Sequence, residues 1–134
     1  MIISKRLSIH TPKQSCLIDI TESIKQIVEM STIENGQITV FVPHTTAGIT
    51  INENADPDVL KDMLYGLSKI VPNDVMFKHL EGNSTAHIKS SLMGSSVTLL
   101  VVNKQCQLGV WQSVYLCEFD GPRVREYQIQ LIGD

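Results

Sequence analysis

The 134-residue chain has no long apolar run. Its apolar stretches, such as Val97 to Val102, fall far short of the roughly 20 residues a helix needs to cross a bilayer. The opening Met1-Ile2-Ile3-Ser4-Lys5-Arg6 has no signal-peptide core. A cytoplasmic protein without a membrane partner is therefore expected. Dense basic clusters are missing too, and the net charge is −3, which excludes the electrostatic footprint that nucleic acid or an anionic membrane rewards. Cysteine is scarce: Cys16, Cys106 and Cys117 form no Cys-x-x-Cys pair and leave an odd count. That pattern suits reduced thiols acting as small apolar residues better than a disulfide framework. There is no Walker loop, no Rossmann glycine fingerprint and no nucleophile elbow. Repeats, linkers and low-complexity segments are also absent, so one domain over residues 1–134 is expected.

What the chain has is enough apolar material for one core, at 43% hydrophobic residues. Ile3, Lys5, Leu7 and Ile9 alternate with Ile2, Ser4, Arg6 and Ser8, the period-two pattern of an opening strand. Thr11-Pro12-Lys13 turns it into a first hairpin. Asp19 stands three residues before Glu22 in capping-box spacing, and Ile24, Ile27 and Val28 recur at helical intervals, so a short helix runs to about Met30. Asn35-Gly36 precedes a strand from Gln37 to Val42, and a second strand covers Gly48 to Asn52.

Asp56 is a good N-cap and Pro57 suits the first helical position, with Val59, Leu60, Met63, Leu64 and Leu67 as one apolar face and Pro72 as the limit. Asn73 to Asn83 reads as irregular. Ser84 or Thr85 then caps a short helix that Gly94 stops. Ser96 to Val102, Leu108 to Phe119 and Val124 to Ile132 read as strands joined by antiparallel hairpins at Asn103-Lys104-Gln105 and Asp120-Gly121-Pro122. Gly109 marks a bend, and Trp111 is expected in the core or at a subunit interface. Without regular βαβ alternation the fold class is α+β: a mixed, largely antiparallel sheet with three short-to-medium helices.

The chemistry concentrates at Pro43-His44-Thr45-Thr46-Ala47-Gly48, where an imidazole and two hydroxyls follow a strand end. His79 and His87 flank the Glu81-Gly82-Asn83-Ser84 turn, close enough in sequence to fold toward one point. Three neutral imidazoles, His44, His79 and His87, form a candidate metal set that leaves a coordination position open, the pattern of catalytic zinc. His10 stands apart. Of the acidic residues after His44, Asp56 and Asp58 serve the helix N-terminus, whereas Glu53 and Asn52 come earlier and are free to face the histidines. Asp120 and Arg123 suit an ion pair across a turn. Arg123 is also the best phosphate reader, because its planar guanidinium grips oxyanions bidentately.

These residues resemble the YjbQ-like family, an uncharacterised group of which some members show a secondary thiamine-phosphate synthase activity. The resemblance covers nearly the whole chain. It rests on Pro43 to Gly48, on Asn52-Glu53-Asn54-Ala55-Asp56-Pro57-Asp58, on His79 with Glu81-Gly82-Asn83-Ser84 and Ala86-His87, and on Gly109, Trp111-Gln112 and Glu118-Phe119-Asp120-Gly121-Pro122-Arg123. It implies an α+β homotrimer with a polar pocket around the matched histidines, holding a metal or an anion. Thr85 departs from the pattern, standing where many relatives carry an acidic residue.

The first functional expectation is an enzyme for a small phosphorylated substrate, with thiamine-phosphate synthase-like activity that joins hydroxymethylpyrimidine pyrophosphate to thiazole phosphate. Glu53 and His44 are its candidate catalytic residues, and Thr45, Thr46, Asn52, Asn83, Gln112 and Arg123 its candidate substrate contacts. A divalent metal is expected, either zinc-like at the histidines or magnesium with the substrate pyrophosphate; carboxylates such as Glu53, Asp56 and Asp58 suit the latter. The alternatives are a metal-activated hydrolase and a non-catalytic trimeric metal- or ligand-binding protein.

Overall fold

The computed structural model describes residues 1–134. In chain order its elements are β1 (Ile2–His10), β2 (Cys16–Asp19), α1 (Thr21–Met30), β3 (Gly36–Phe41), β4 (Ala47–Glu53), α2 (Pro57–Ile70), α3 (Ser84–Met93), β5 (Ser96–Val102), β6 (Gln105–Cys106), β7 (Gln112–Glu118) and β8 (Val124–Gly133). The α+β class and the three helices are as the pattern predicts. The single mixed sheet is not. The strands divide into a five-stranded sheet, β1-β8-β3-β5-β6, and a three-stranded sheet, β2-β7-β4, and every pairing is antiparallel. No helix is long and apolar enough to cross a membrane.

The division changes three of the expected hairpins. Thr11-Pro12-Lys13 and Asp120-Gly121-Pro122 are corners at which the chain passes from one sheet to the other, because β1 pairs β8 whereas β2 pairs β7. Asn103 and Lys104, at φ 51° and 65°, do make a hairpin turn. Its return strand is only β6, however, and the chain then leaves for the second sheet. The long strand expected from Leu108 therefore begins at Gln112, and Trp111 is 63% exposed on the loop before it.

The main core lies between the sheets. Ile38 and Val40 of β3, Leu99 and Val101 of β5, and Tyr127, Ile129 and Leu131 of β8 face Ile49 of β4 and Val114 and Leu116 of β7, with Ile24 and Val28 of α1 completing the cluster. Cys117 points the other way, into a smaller cluster with Leu67 of α2, Ala86 of α3 and Phe119. All three cysteines are free, and burial pushes the Cys117 thiol up to about 12, which leaves it an unreactive apolar group. Alternation along β7 decides which residues face which cluster.

The helix ends show where local chemistry was read well. Asp56 accepts from the Asp58 amide at 2.9 Å, and Pro57 begins α2. Of the expected apolar face of α2, only Leu67 is fully buried, while Val59, Leu60, Met63 and Leu64 are half-buried. At α1 the N-cap is Ile20, and Asp19 accepts from Thr21 instead of closing a capping box. Asn83, not Ser84 or Thr85, precedes α3. Gly94 ends α3 at φ 93°, a conformation that suits glycine. Gly48 lets β4 press against this helix end, since a Cβ there would sit 2.7 Å from the Gly94 carbonyl oxygen.

Candidate functional site

The loop between β3 and β4 carries the chain from the five-stranded to the three-stranded sheet, and His44, Thr45 and Thr46 lie on it. β3 stops pairing β8 at Phe41 opposite Gln128. The Glu126 amide on β8 therefore lacks a strand partner and donates to His44 Nε2 at 3.0 Å. Burial, followed by the Arg125 charge, holds the His44 pKa below its ordinary value. The imidazole is thus neutral near pH 7, with its proton on Nδ1.

A buried ion pair anchors the loop. Glu118 and Arg125 sit between the sheets, in phase with the apolar residues Val114 and Leu116 and with Tyr127 and Ile129. They are 0% and 3% exposed. The Glu118 carboxylate accepts from Arg125 Nε at 2.8 Å, the Thr11 hydroxyl at 2.7 Å, and the Phe119 and Asp120 amides at 3.1 and 3.0 Å. Burial alone would raise its pKa, but the hydrogen bonds from Arg125, Asp120 and Thr11 outweigh that and hold it below the usual value. Arg125 also donates to the Thr46 hydroxyl at 2.8 Å and the Thr46 carbonyl at 3.2 Å. Thr46 is therefore a buried anchor, while Thr45 is exposed.

Two grooves meet at this loop. One, about 660 Å³, includes His44, Thr45, Thr46, Ser95, Arg123 and Arg125 in its lining. The other, about 490 Å³, shares His44, Thr45 and Ser95 and extends to His87, Ser90, Ser91 and Gly94. His79 and His87 do come together, edge to face with centroids 5.3 Å apart. His79 Nε2 also lies 3.8 Å from Glu81 Oε1. Asn83 donates to Asp120 Oδ2 at 2.9 Å. The expected Asp120–Arg123 pair forms at 3.1 Å, with Arg123 Nε donating to the Asp120 carbonyl at 2.9 Å.

The candidate metal set does not fit this arrangement. No three His, Cys, Asp or Glu side chains are grouped to hold an ion, and the Nε2 lone pair of His44 is engaged by Glu126. A three-histidine site would require His44 to give up that bond and move its proton.

Asn52, Glu53 and Gln112 lie elsewhere. Glu53 ends β4, six residues from Ala47, so at about 3.3 Å per residue it is roughly 20 Å along the strand from the His44 loop. Asn52 accepts from the Glu53 amide at 2.7 Å, the Glu53 carbonyl accepts from the Tyr115 hydroxyl at 2.9 Å, and Gln112 Oε1 accepts from the Gly109 amide at 2.7 Å. Within one chain these residues close turns and do not face His44. Sequence reasoning did not single out Arg125, Ser90 or Ser95, nor the anchoring role of Glu118. Only the charged pair left a readable signal, as ionisable residues on the inward phase of apolar strands.

The chain resembles known proteins over its whole length. It is 48% identical to a UPF0047 protein of Methanocaldococcus jannaschii across 100% of this chain and 99% of the relative, and 47% identical to the UPF0047 protein YugU of Bacillus subtilis across 96% and 98%. Among solved structures, an uncharacterised YjbQ/UPF0047 protein of Clostridium acetobutylicum superposes with a TM-score of 0.93 at 50% identity, covering 96% of this chain and 99% of that one. A YbjQ-like protein of unknown function from Sulfolobus solfataricus gives 0.95 at 31% identity, covering 100% and 99%. The family model for "UPF0047 protein YjbQ-like" matches residues 5–134. With the fold and the His44 loop described, these likenesses establish that the chain belongs to the YjbQ-like UPF0047 family.

Proposed function

We propose that this chain is an enzyme acting on phosphorylated small molecules, and that thiamine-phosphate synthase-like joining of hydroxymethylpyrimidine pyrophosphate to thiazole phosphate is a reaction its His44 grooves support. The observation carrying this reading is the Glu126 amide on His44 Nε2, at 3.0 Å. An imidazole that accepts there offers a protonated Nδ1, and so works as a neutral donor rather than as a metal ligand. Arg123 lines the same groove and adds a guanidinium suited to oxyanions.

In the joining reaction the thiazole nitrogen's lone pair forms a bond to the pyrimidine methylene carbon. The bond from that carbon to pyrophosphate breaks, and its electron pair leaves on oxygen. No proton must be taken from the nucleophile. What the protein has to supply is charge stabilisation on the departing group, and His44 Nδ1–H and Arg123 are the residues proposed to do so. Magnesium held by the pyrophosphate oxygens would add to that charge stabilisation, since oxygen ligands suit it.

The test is formation of thiamine phosphate from the two substrates with magnesium. Activity that falls in His44→Ala and Arg123→Ala supports the reading; inactive wild-type protein that is folded removes the synthase reaction. Ester hydrolysis with bound zinc, lost in His44→Ala, would favour the hydrolase alternative. Tight ligand binding without product across a broad panel would favour the binding-protein alternative. Glu53 takes part only if a second copy brings its β4 end to this groove.

A homotrimer is part of the same proposal. Its support is the outward face of the five-stranded sheet, where Ile2, Phe41, Leu100, Val102 and Ile132 are each at least 41% exposed beside the uncharged Thr39, Thr98 and Gln130. Mass measurement by light scattering tests it, and a monomer at working concentration would end it.

A further inference from the structure

We propose that the free edge of β1 is a docking site for an extended acidic segment of another protein, which joins the five-stranded sheet as an added strand. β1 is an outer strand of that sheet and pairs with β8 alone.

The pairing pattern fixes which backbone groups are free. Met1 and Gly133 exchange both of their backbone hydrogen bonds, at 2.8 and 3.1 Å, and the Thr11 amide donates to the Arg123 carbonyl at 2.9 Å. In an antiparallel ladder such pairs recur at every second residue, so Ile3, Lys5, Leu7 and Ile9 direct their amides and carbonyls at β8. Ile2, Ser4, Arg6, Ser8 and His10 direct theirs away from it, and no other strand or loop pairs with them. The register runs unbroken from Ile2 to His10, with no proline and no bulge, which gives an open edge about 30 Å long. The remaining outer strands are short or covered: β6 has two residues, β2 has four, and the Ile49 amide on β4 is taken by the Gly94 carbonyl at 3.1 Å. Shortness and cover are common protections against strand addition, and β1 has neither.

What β1 has instead is charge of one sign. It carries Lys5 and Arg6 and no carboxylate. Lys5 falls in phase with Ile3, Leu7 and Ile9, which pack against the core, yet it is exposed. A charge in that position guards an edge against a like partner. A second β1 running antiparallel meets this guard: in the two registers centred on the strand, Arg6 faces Arg6 or Lys5 faces Lys5, and like charges directly opposite are destabilising. A strand with a carboxylate opposite Arg6 turns the repulsion into a cross-strand ion pair. Arg6 is available for it, because its own contact to Glu126 is long, at 4.0 Å, and its side chain is 66% exposed.

The two faces of the edge set the pattern of the occupant. On the core side Ile3, Leu7 and Ile9 are only half-buried, so an apolar neighbour on the added strand covers their open flank. On the outer side Ser4, Arg6 and Ser8 are exposed and favour acidic or polar neighbours. Because side chains alternate along a strand, the segment that fits alternates apolar with acidic residues. Backbone pairing gives it affinity, and the charge beside Arg6 gives it selectivity.

The test is titration of the full-length protein with two peptides matched to the nine residues of β1, one alternating valine with glutamate and the other valine with lysine, with amide exchange followed by NMR. In the free protein the amides of Ser4, Arg6 and Ser8 are expected to exchange fast and those of Ile3, Lys5 and Leu7 slowly. The glutamate peptide should bind saturably, slow the exchange of the edge amides, and bind about tenfold tighter than the lysine peptide, the sum of a few cross-strand charge contacts. Arg6→Glu should erase most of that gap. Ser4→Pro removes an amide that the fold does not use, so it should block binding and leave Tm nearly unchanged. Slow exchange of the edge amides in the free protein would mean that a second copy already covers them, and would overturn the proposal. Equal affinity for the two peptides, no saturable binding of the glutamate peptide, or binding that leaves the edge amides unprotected would overturn it as well. Arg6→Glu and the exchange data decide the matter if Ser4→Pro fails to fold. None of these readouts involves the His44 grooves, so the outcome of the synthase assay has no bearing on them.

Discussion

The two ends of the three-stranded sheet hold similar densities of polar residues and use them differently. At the Glu53 end, Asn52, Asn54, Gln112 and Tyr115 turn their polar atoms onto nearby backbone or onto Ser113. Those hydrogen bonds close the turns. At the His44 end the backbone is held from beneath, by the buried Glu118–Arg125 pair gripping Thr46 and by the Glu126 amide gripping His44. That leaves His44, Thr45 and Arg123 lining a groove. Polar density alone is thus a poor guide to a site. A site needs side chains left over after the backbone is satisfied, together with a rigid support that keeps them there.

The comparison breaks most sharply at Glu118. Glu118→Ala leaves the Arg125 charge buried and unpaired, so a loss of about 3–5 kcal/mol is expected in urea denaturation, against at most about 0.5 kcal/mol for Glu53→Ala, whose carboxylate makes no ion pair. Similar losses at both ends would mean that the His44 end has no special anchor. Thr46→Val comes next. It strips the hydroxyl acceptor from a buried guanidinium and should cost about 1–3 kcal/mol, with the His44 tautomer, read by nitrogen NMR, becoming mixed. An unchanged tautomer would separate the anchor from the imidazole.

Acid sharpens the contrast. Glu118 has a folded pKa below its unfolded value, so its stabilisation is complete above the unfolded value and is lost as pH falls through the folded one. His44 is also depressed; the unfolded chain binds its proton first, so stability begins to fall as pH drops below about 6.5 and stops changing once the folded imidazole is protonated. His44→Gln should flatten the neutral-to-acid part of the profile and leave the more acidic part in place. Titrating the ring by proton NMR checks this directly, and a midpoint above 6.5 would contradict the burial argument. Asn52→Ala is expected to cost about 1 kcal/mol for the hydrogen bond to the Glu53 amide, well below the losses at the His44 end, with no change in ligand affinity. A loss of affinity there would bring the Glu53 end into the site.

Local signals were legible where a short-range rule governs. The Asp56-Pro57 helix start, the Gly94 stop and the Ser96–Val102 strand lie where cap chemistry and alternation put them. So did the meeting of His79 with His87, which one turn separates. Strand partners were not legible: Asp120-Gly121-Pro122 has hairpin chemistry but serves as a corner between sheets, since turn residues specify a bend and not the sheet the chain joins next. The candidate site was misjudged for the same reason. Glu53 and His44 are nine residues apart, yet the intervening β4 is extended, so proximity in the chain became separation in space.

By itself the sequence determined the α+β class, the three helices, the Asp56 cap, the Gly94 stop and the polar loop at His44, because each follows from periodicity or chemistry within a few residues. Only the tertiary structure decided that there are two sheets, that Glu118 meets Arg125 between them, and that the Glu126 amide takes the His44 Nε2. Those pairings join residues far apart in the chain, and they depend on which buried groups could be satisfied once both sheets were packed.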